Sequence, residues 1–170
     1  MNDKPLINRV ANSSLININL EDFFPKAEIV EFDLKDYLFR ELLLKEKDFR
    51  AAMKEHDWTQ YQDKILTVFC STDAIVPVWA YQLVAIYATP FAEKVTHGNK
   101  ETCILLHYQD TIGALDRAQY QDQRIIVKGC GKLPVPPAAY TMLAHRLQPV
   151  AKSIMYGEAC SAVPLYKKKK

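Results

Sequence analysis

Short apolar runs alternate with amphipathic stretches along this chain, which is typical of strands followed by helices. The runs at 65–69 and 125–127 are apolar and rich in β-branched residues, as expected of strands buried on both faces. After a loop, Pro77 and Pro136 mark positions where a helix can begin. Proline has no N–H group, and the first N–H groups of a helix have no partner within the helix, so nothing is lost there. The pattern further predicts strands at 29–32, 94–97 and 153–156, and helices at 34–56, 77–91, 101–119 and 136–150.

These two runs belong to an internal repeat. Tyr61-Gln62-Asp63 recurs as Tyr120-Gln121-Asp122, and the same offset pairs Val76-Pro77 with Val135-Pro136, and Gly98 with Gly157. Matches that keep one offset without a gap indicate duplication of a structural unit. We therefore predict that residues 61–98 and 120–157 form two copies of a parallel strand–helix–strand unit.

The connections between these elements restrict the topology. Parallel crossovers are right-handed in about 98% of cases, and this favours a central strand order 2-1-3-4, in which strands 1 to 4 are residues 65–69, 94–97, 125–127 and 153–156. The predicted fold is one three-layer α/β domain over residues 1–170, with a mainly parallel central sheet. Residues 1–27 are expected to form an irregular arm, and residues 161–170 a C-terminal tail.

Composition and charge exclude several classes of protein. The chain is 49% hydrophobic and 25% charged, the balance of a globular protein. Of its 22 basic residues, four form the run Lys167–Lys170. The remaining 18 basic residues are outnumbered by 20 acidic ones, so the rest of the chain carries a slight negative net charge and no groove for nucleic acid is expected. The lysine run is expected to be a solubilising tail. No apolar run approaches the ~20 residues that span a bilayer, so we expect a cytoplasmic protein without a membrane partner.

Three of the four cysteines are predicted to lie at one edge of the central sheet. Cys70 and Cys130 follow the two central strands, and Cys160 follows the last strand of the second copy. Because neighbouring strands lie about 4.8 Å apart, we expect the three sulfur atoms to converge on zinc, iron or an iron–sulfur cluster. The other candidate metal ligands at this edge are Asp73, Glu158 and His97.

Other interpretations of these residues remain open. The cysteines fit a reactive or sulfur-carrying thiol, with Cys130 as nucleophile, and they also fit inert packing of small apolar side chains. No histidine adjoins a cysteine in the sequence, so no general base can be assigned. Glycine-rich phosphate loops and the common catalytic motifs are absent. A non-catalytic interaction module is the alternative from another class. If a metal binds, Cys160 is expected to be a mobile ligand, and residues 159–166 should order on binding.

Several stretches resemble an uncharacterised bacterial family that is catalogued as domain of unknown function 2480. They are residues 46–50, 73–77, 127–130 with 134–136, and 153–161. The resemblance covers nearly the whole chain and implies no reaction. It implies that Cys70, Cys130 and Cys160 are shared by the family, and it implies a link to sulfur mobilisation and iron–sulfur cluster assembly. Protein partners in sulfur or iron–sulfur metabolism are therefore expected.

Overall fold

The computed structural model describes residues 15–129, 131–158 and 160–169. Its strands are Leu15–Asn19 (β1), Ile29–Asp33 (β2), Leu38–Phe39 (β3), Leu43–Leu44 (β4), Ile65–Phe69 (β5), Lys94–His97 (β6), Arg124–Lys128 (β7), Ser153–Tyr156 (β8) and Val163–Lys167 (β9). Its α-helices are Glu46–Glu55 (α1), Val78–Ala88 (α2), Lys100–Gly113 (α3) and Pro137–Leu147 (α4). Single turns of 3-10 helix lie at Leu20–Phe23, Leu34–Tyr37, Trp58–Tyr61 and Arg117–Tyr120. The mixed α/β class predicted from the sequence is confirmed.

The strands form two main sheets. One has the order β1-β7-β8-β9, in which only β9 is antiparallel to its neighbour, and the other is the parallel sheet β2-β5-β6. The predicted strand order 2-1-3-4 in a single central sheet is therefore wrong. The physical reason is that β1, which falls in the predicted irregular arm, pairs with β7 and takes the position that the prediction gave to β5.

The chain divides into two compact units. The inserted unit is Pro25–Leu106, and the split unit comprises the described residues of Met1–Phe24 and His107–Lys170. Apart from the β3–β4 pair in the inserted unit and β9 in the split unit, both units have the same series of elements. It is a strand, a 3-10 turn, an α-helix, a second 3-10 turn, a strand, an α-helix and a parallel strand, with α3 counted in the split unit, which contains its residues 107–113. The chain thus begins one copy of the unit, completes the other copy, and then returns to finish the first.

Backbone details support the duplication. The strands of each predicted copy are parallel, β5 to β6 and β7 to β8, as the sequence predicts. The equivalent residues Asp63 and Asp122 both have positive φ, at 57° and 54°. Gly98 and Gly157 directly follow β6 and β8 and have φ of 120° and 109°, values that residues with a side chain rarely adopt. Both glycines donate their N–H groups to the neighbouring strand, at 3.0 and 2.9 Å.

The similarity of the units extends beyond the repeat found in the sequence. Asn19 ends β1 as Asp33 ends β2, and the leucine that follows each of them, Leu20 or Leu34, is fully buried. The side chains of Asn19 and Asp33 each accept a hydrogen bond from the N–H two residues later, which caps the following 3-10 turn. The strand and the turn before α1 and α3 therefore belong to the duplicated unit.

Further differences from the sequence prediction concern residues 34–56 and the C-terminal tail. The helix predicted at 34–56 is present only as α1, because Phe39-Arg40-Glu41-Leu42 makes a tight turn between β3 and β4. Arg40 and Glu41 occupy positive φ there, at 51° and 59°, without glycine to signal it. The C-terminal tail contains β9, and Lys168 contacts Asp122 at 2.8 Å. In the part of the chain that the structure describes, no helix has the length and apolar character needed to cross a membrane.

His56 is expected to make the stability of the inserted unit depend on pH. Burial lowers its pKa, against the opposing charge of Asp57, and its ring lies edge-on to Trp58 and 3.0 Å from the Tyr61 hydroxyl. Because its pKa is lower in the folded chain, His56 binds a proton more readily in the unfolded chain, where its pKa is about 6.5. Acidification below this pH therefore favours unfolding, whereas above it the histidine is neutral in both states. We expect unfolding free energy, measured in urea, to decline as the pH falls below about 6.5. His56→Gln should flatten this decline, and an unchanged pH profile in that variant would contradict the assignment.

Candidate functional site

A cleft of about 380 Å³ opens at one edge of the four-stranded sheet in the split unit. Ligands of open parallel sheets commonly bind beyond the carboxyl ends of the strands, and this cleft lies there. Its volume is within the range of small-molecule sites. The cleft is lined by Asn19, Glu21, Lys128, Gly129, Gly131, Tyr156, Gly157 and Glu158.

Strand register brings these residues together. Asn19 is the last residue of β1 and lies opposite Lys128, the last residue of β7. Tyr156, the last residue of β8, lies opposite Val127. Three parallel strands therefore end at the same level, and the loops that leave them supply the remaining lining residues.

Glu21 organises one wall of the cleft. Its Oε1 accepts a hydrogen bond of 2.8 Å from the N–H of Leu133, in the loop that follows β7. Its own N–H donates to Oδ1 of Asn19 at 3.2 Å. The Glu21 carboxylate thus connects the end of β1 to the loop after β7.

An ion pair forms the opposite wall. Lys128 Nζ lies 3.3 Å from Oε1 of Glu158, and both side chains are exposed. Exposed pairs of this kind contribute about 0–1 kcal/mol, so a ligand can replace either partner at little cost. The cleft therefore presents one ammonium group and two carboxylates.

Gly129 lines the cleft and lies close to Tyr140 and Leu20. A Cβ at this position would lie 2.7 Å from the hydroxyl oxygen of Tyr140 and 3.1 Å from Cβ of Leu20. The Tyr140 ring in turn packs edge-on against Tyr156, with centroids 5.9 Å apart. Only glycine allows the backbone to approach the tyrosine this closely.

Gly129→Ala is expected to lower the free energy of unfolding by about 1–3 kcal/mol, because the new methyl group overlaps the Tyr140 hydroxyl. Urea denaturation of the full chain measures the effect. Tyr140→Phe should recover part of the loss in the double variant, since the hydroxyl is removed but Leu20 remains. The control is Gly113→Ala, where the added Cβ meets nothing within 4 Å. Equal losses in the two single variants would contradict this account.

The equivalent edge of the inserted unit carries different side chains. Cys70 stands where Gly129 does, half-buried, with Sγ 3.3 Å from Oγ1 of Thr72. The ring of His97 packs edge-on against Tyr81 at 4.8 Å, as Tyr156 packs against Tyr140. Burial raises the pKa of Tyr81, and the charges of Cys70 and Asp33 raise it further.

Asp33 is held as an anion at this edge of the inserted unit. Burial alone would raise its pKa, but hydrogen bonds from Ser71 and Lys35 outweigh that effect, and the pKa is lowered. Its Oδ1 accepts the Ser71 N–H at 3.0 Å. Asp33 therefore fixes the loop after β5 much as Glu21 fixes the loop after β7.

The structure describes five of the six predicted metal ligands, all except Cys130. Cys70 and Cys130 do not follow adjacent strands, because β5 and β7 belong to different sheets. Cys130 itself lies outside the described residues, Cys160 is exposed, and Asp73 is exposed in the loop before α2. Of the six candidates, Glu158 lies in the cleft, and His97 ends β6. Among the described residues, no group of three or more His, Cys, Asp or Glu side chains could hold a metal ion.

Sequence reasoning missed Asn19, Glu21 and Lys128. The first two fall in the segment predicted to be irregular, and Lys128 lies in the stretch 127–130 that resembles the family but was given no role. A usable signal exists, since Asn19-Leu20-Glu21-Asp22-Phe23 and Asp33-Leu34-Lys35-Asp36-Tyr37 share leucine, aspartate and an aromatic residue at matching positions.

Comparison with known proteins gives one match. The family model described as protein of unknown function, DUF2480, matches residues 4–168. No curated protein and no solved structure matches the chain.

Proposed function

The chain belongs to the DUF2480 family of proteins of unknown function, and for it we propose a binding role, with a small zwitterionic molecule held in the cleft of the split unit. The observation that carries the proposal is the cleft itself, at the carboxyl ends of β1, β7 and β8. A volume of about 380 Å³ suits a molecule of the size of an amino acid or a short peptide.

The charges of the cleft support a ligand with both signs of charge. Lys128 can bind a carboxylate, and Glu158 can bind an ammonium group, once the ligand has replaced their mutual contact at 3.3 Å. Glu21 adds a second carboxylate on the opposite wall, anchored by Leu133. A purely anionic ligand would face two carboxylates, and a purely cationic one would face Lys128, so a zwitterion has the best electrostatic complementarity.

Removal of either charged group, the ammonium of Lys128 or the carboxylate of Glu158, should weaken ligand binding. Lys128→Met is expected to weaken binding at least about tenfold for zwitterions, and Glu158→Gln should do the same, since each removes one charge-assisted contact of about 1.5–3 kcal/mol. A panel of amino acids and their amides and N-acetyl derivatives, titrated by calorimetry, measures this. Lys152→Met is the matched control, because Lys152 is exposed and does not line the cleft. Equal binding of zwitterions and singly charged analogues would contradict the proposal.

The sequence predicted a thiolate function, either in metal or iron–sulfur binding or in thiol chemistry. The Cys130→Ser variant distinguishes this function from zwitterion binding. Gly129 and Gly131, which flank Cys130 in the chain, line the same cleft. Cys130→Ser is expected to leave zwitterion affinity unchanged if the charged side chains carry binding. Loss of bound zinc or iron in this variant, measured by elemental analysis after anaerobic purification, would instead support the thiolate function.

A further inference from the structure

The hairpin formed by β3 and β4 has apolar side chains on both of its faces. Leu38 lies opposite Leu44, and Phe39 lies opposite Leu43, so the two residues of each pair share one face. Leu44 is buried and Leu38 packs against the core of the inserted unit, whereas Phe39 and Leu43 are exposed. A hairpin with one face on the core usually has polar side chains on the other. The apolar outer face of this hairpin therefore contributes nothing to the core of its own unit.

Ile75 and Val78 extend this outer face. Ile75 forms a single parallel bridge with Leu43, and its N–H donates to the carbonyl of Leu42 at 3.4 Å. Val78, the first residue of α2, follows three positions later. Ile75, Val78 and Leu42 are all largely exposed. The exposed apolar residues at this place form the hairpin patch, which consists of Phe39, Leu42, Leu43, Ile75 and Val78.

The hairpin patch is large enough for an interface between proteins. Exposed fractions of 41–83% on five large apolar residues correspond to about 500–600 Å², which is at the upper end of the range for the largest apolar patch of a monomer. A standard interface buries about 800 Å² per partner, a little over half of it non-polar. The patch and the charged residues around it therefore supply the area of a small, reversible dimer.

The charges around the patch favour a second copy of this chain over a partner of one charge sign. Arg40 Cζ and Lys45 Nζ lie over the Phe39 ring, 5.2 and 3.4 Å from its centroid. Glu41 shares the tip of the hairpin with Arg40, and Asp73 lies in the loop before α2. This rim of two basic and two acidic residues has no net charge, so a uniformly acidic or basic surface would be repelled by half of it. A two-fold arrangement sets the rim against itself, where each charge can face its opposite.

We propose that the hairpin patch is the interface of a two-fold dimer of this chain. In such an interface the same surface of both copies is buried, so one exposed patch per chain is sufficient. The β3–β4 pair has no counterpart among the described residues of the split unit. Only the inserted unit carries the interface, and association therefore closes at two copies.

Sedimentation velocity of the full chain tests the proposal. We expect a reversible monomer–dimer equilibrium with a Kd of about 1–100 μM, in keeping with an interface of small area. Ile75→Asp should weaken the dimer at least about tenfold, because it buries an unpaired charge within the patch. Ile86→Asp is the matched control, since Ile86 is 69% exposed on α2 and lies outside the patch. This control should dimerise within about twofold of the unaltered chain.

The rim allows a second test with two charge-reversal variants. Arg40→Glu makes the rim acidic and Glu41→Arg makes it basic, so each variant alone should dimerise at least about threefold more weakly than the unaltered chain. An equimolar mixture of the two should associate more tightly than either variant alone, because the two rims then carry opposite charge.

Three outcomes would overturn the proposal. The first is a chain that remains monomeric at a concentration of about 1 mM, well above the expected Kd. The second is an Ile75→Asp variant that dimerises as tightly as Ile86→Asp. The third is a mixture of Arg40→Glu and Glu41→Arg that associates no more tightly than its separate components.

Discussion

Tyr108→Ala is expected to lower the free energy of unfolding by about 3–5 kcal/mol, the cost of emptying a large buried aromatic site. The side chain is fully buried on α3, and its hydroxyl donates a hydrogen bond of 2.8 Å to the carbonyl of Leu20. Burial, together with the charge of Glu21, raises the pKa of Tyr108 to about 12, so the phenol keeps its proton at neutral pH. Urea denaturation followed by circular dichroism measures the loss.

Tyr108→Phe separates the hydrogen bond from the packing. It keeps the ring and leaves the buried Leu20 carbonyl without its donor, so we expect a loss of about 1–3 kcal/mol. Gln109→Ala, one residue further on the same helix and exposed, should change stability by less than about 0.5 kcal/mol. A phenylalanine variant as stable as the unaltered chain would show that the hydroxyl does not anchor the turn after β1.

Phe32→Ala is expected to lower the free energy of unfolding by a similar amount, about 3–5 kcal/mol. Phe32 is buried on β2 at the centre of an aromatic cluster in the inserted unit. Its ring is stacked on Tyr37 and on Trp58, with centroid distances of 5.3 and 5.7 Å. Its removal leaves a cavity that these rigid rings cannot fill by small adjustments.

Phe32→Leu separates the contribution of the aromatic ring contacts to stability from that of the side-chain volume. It retains most of the apolar volume and loses the ring contacts, so we expect a loss of less than about 1.5 kcal/mol. Hydrogen exchange should locate the faster opening of Phe32→Ala in β2, β5 and β6. A leucine variant as unstable as the alanine variant would contradict the view that volume dominates at this position.

The repeat could be predicted from the sequence only where its copies keep one offset. Val76-Pro77 and Val135-Pro136 keep it because each proline precedes a helix of the same unit. β1 and β2 were missed as copies because the inserted unit separates β1 from the rest of its own unit. A comparison at constant offset cannot align elements across such an insertion.

The predicted convergence of thiols depended on one topological step. The strand-end positions of Cys70 and Cys130 follow from local pattern. The prediction that they converge assumed that β5 and β7 are neighbours, whereas β5 pairs with β2 and β6, and β7 pairs with β1 and β8. The cleft depends on the same pairing, since Asn19 and Lys128 meet only when β1 lies beside β7.

The sequence by itself determined the α/β class, the parallel strand–helix–strand copies and the helices after Pro77 and Pro136, because apolar periodicity and proline act over a few residues. Only the tertiary structure decided the two sheets, the tight turn at Arg40-Glu41, the strand in the C-terminal tail and the cleft. The turn escaped prediction because Arg40 and Glu41 take positive φ without a glycine to indicate it. The two sheets and the cleft depend on which distant segments pair, and this pairing is chosen by the burial of whole faces and edges, which no local pattern of residues specifies.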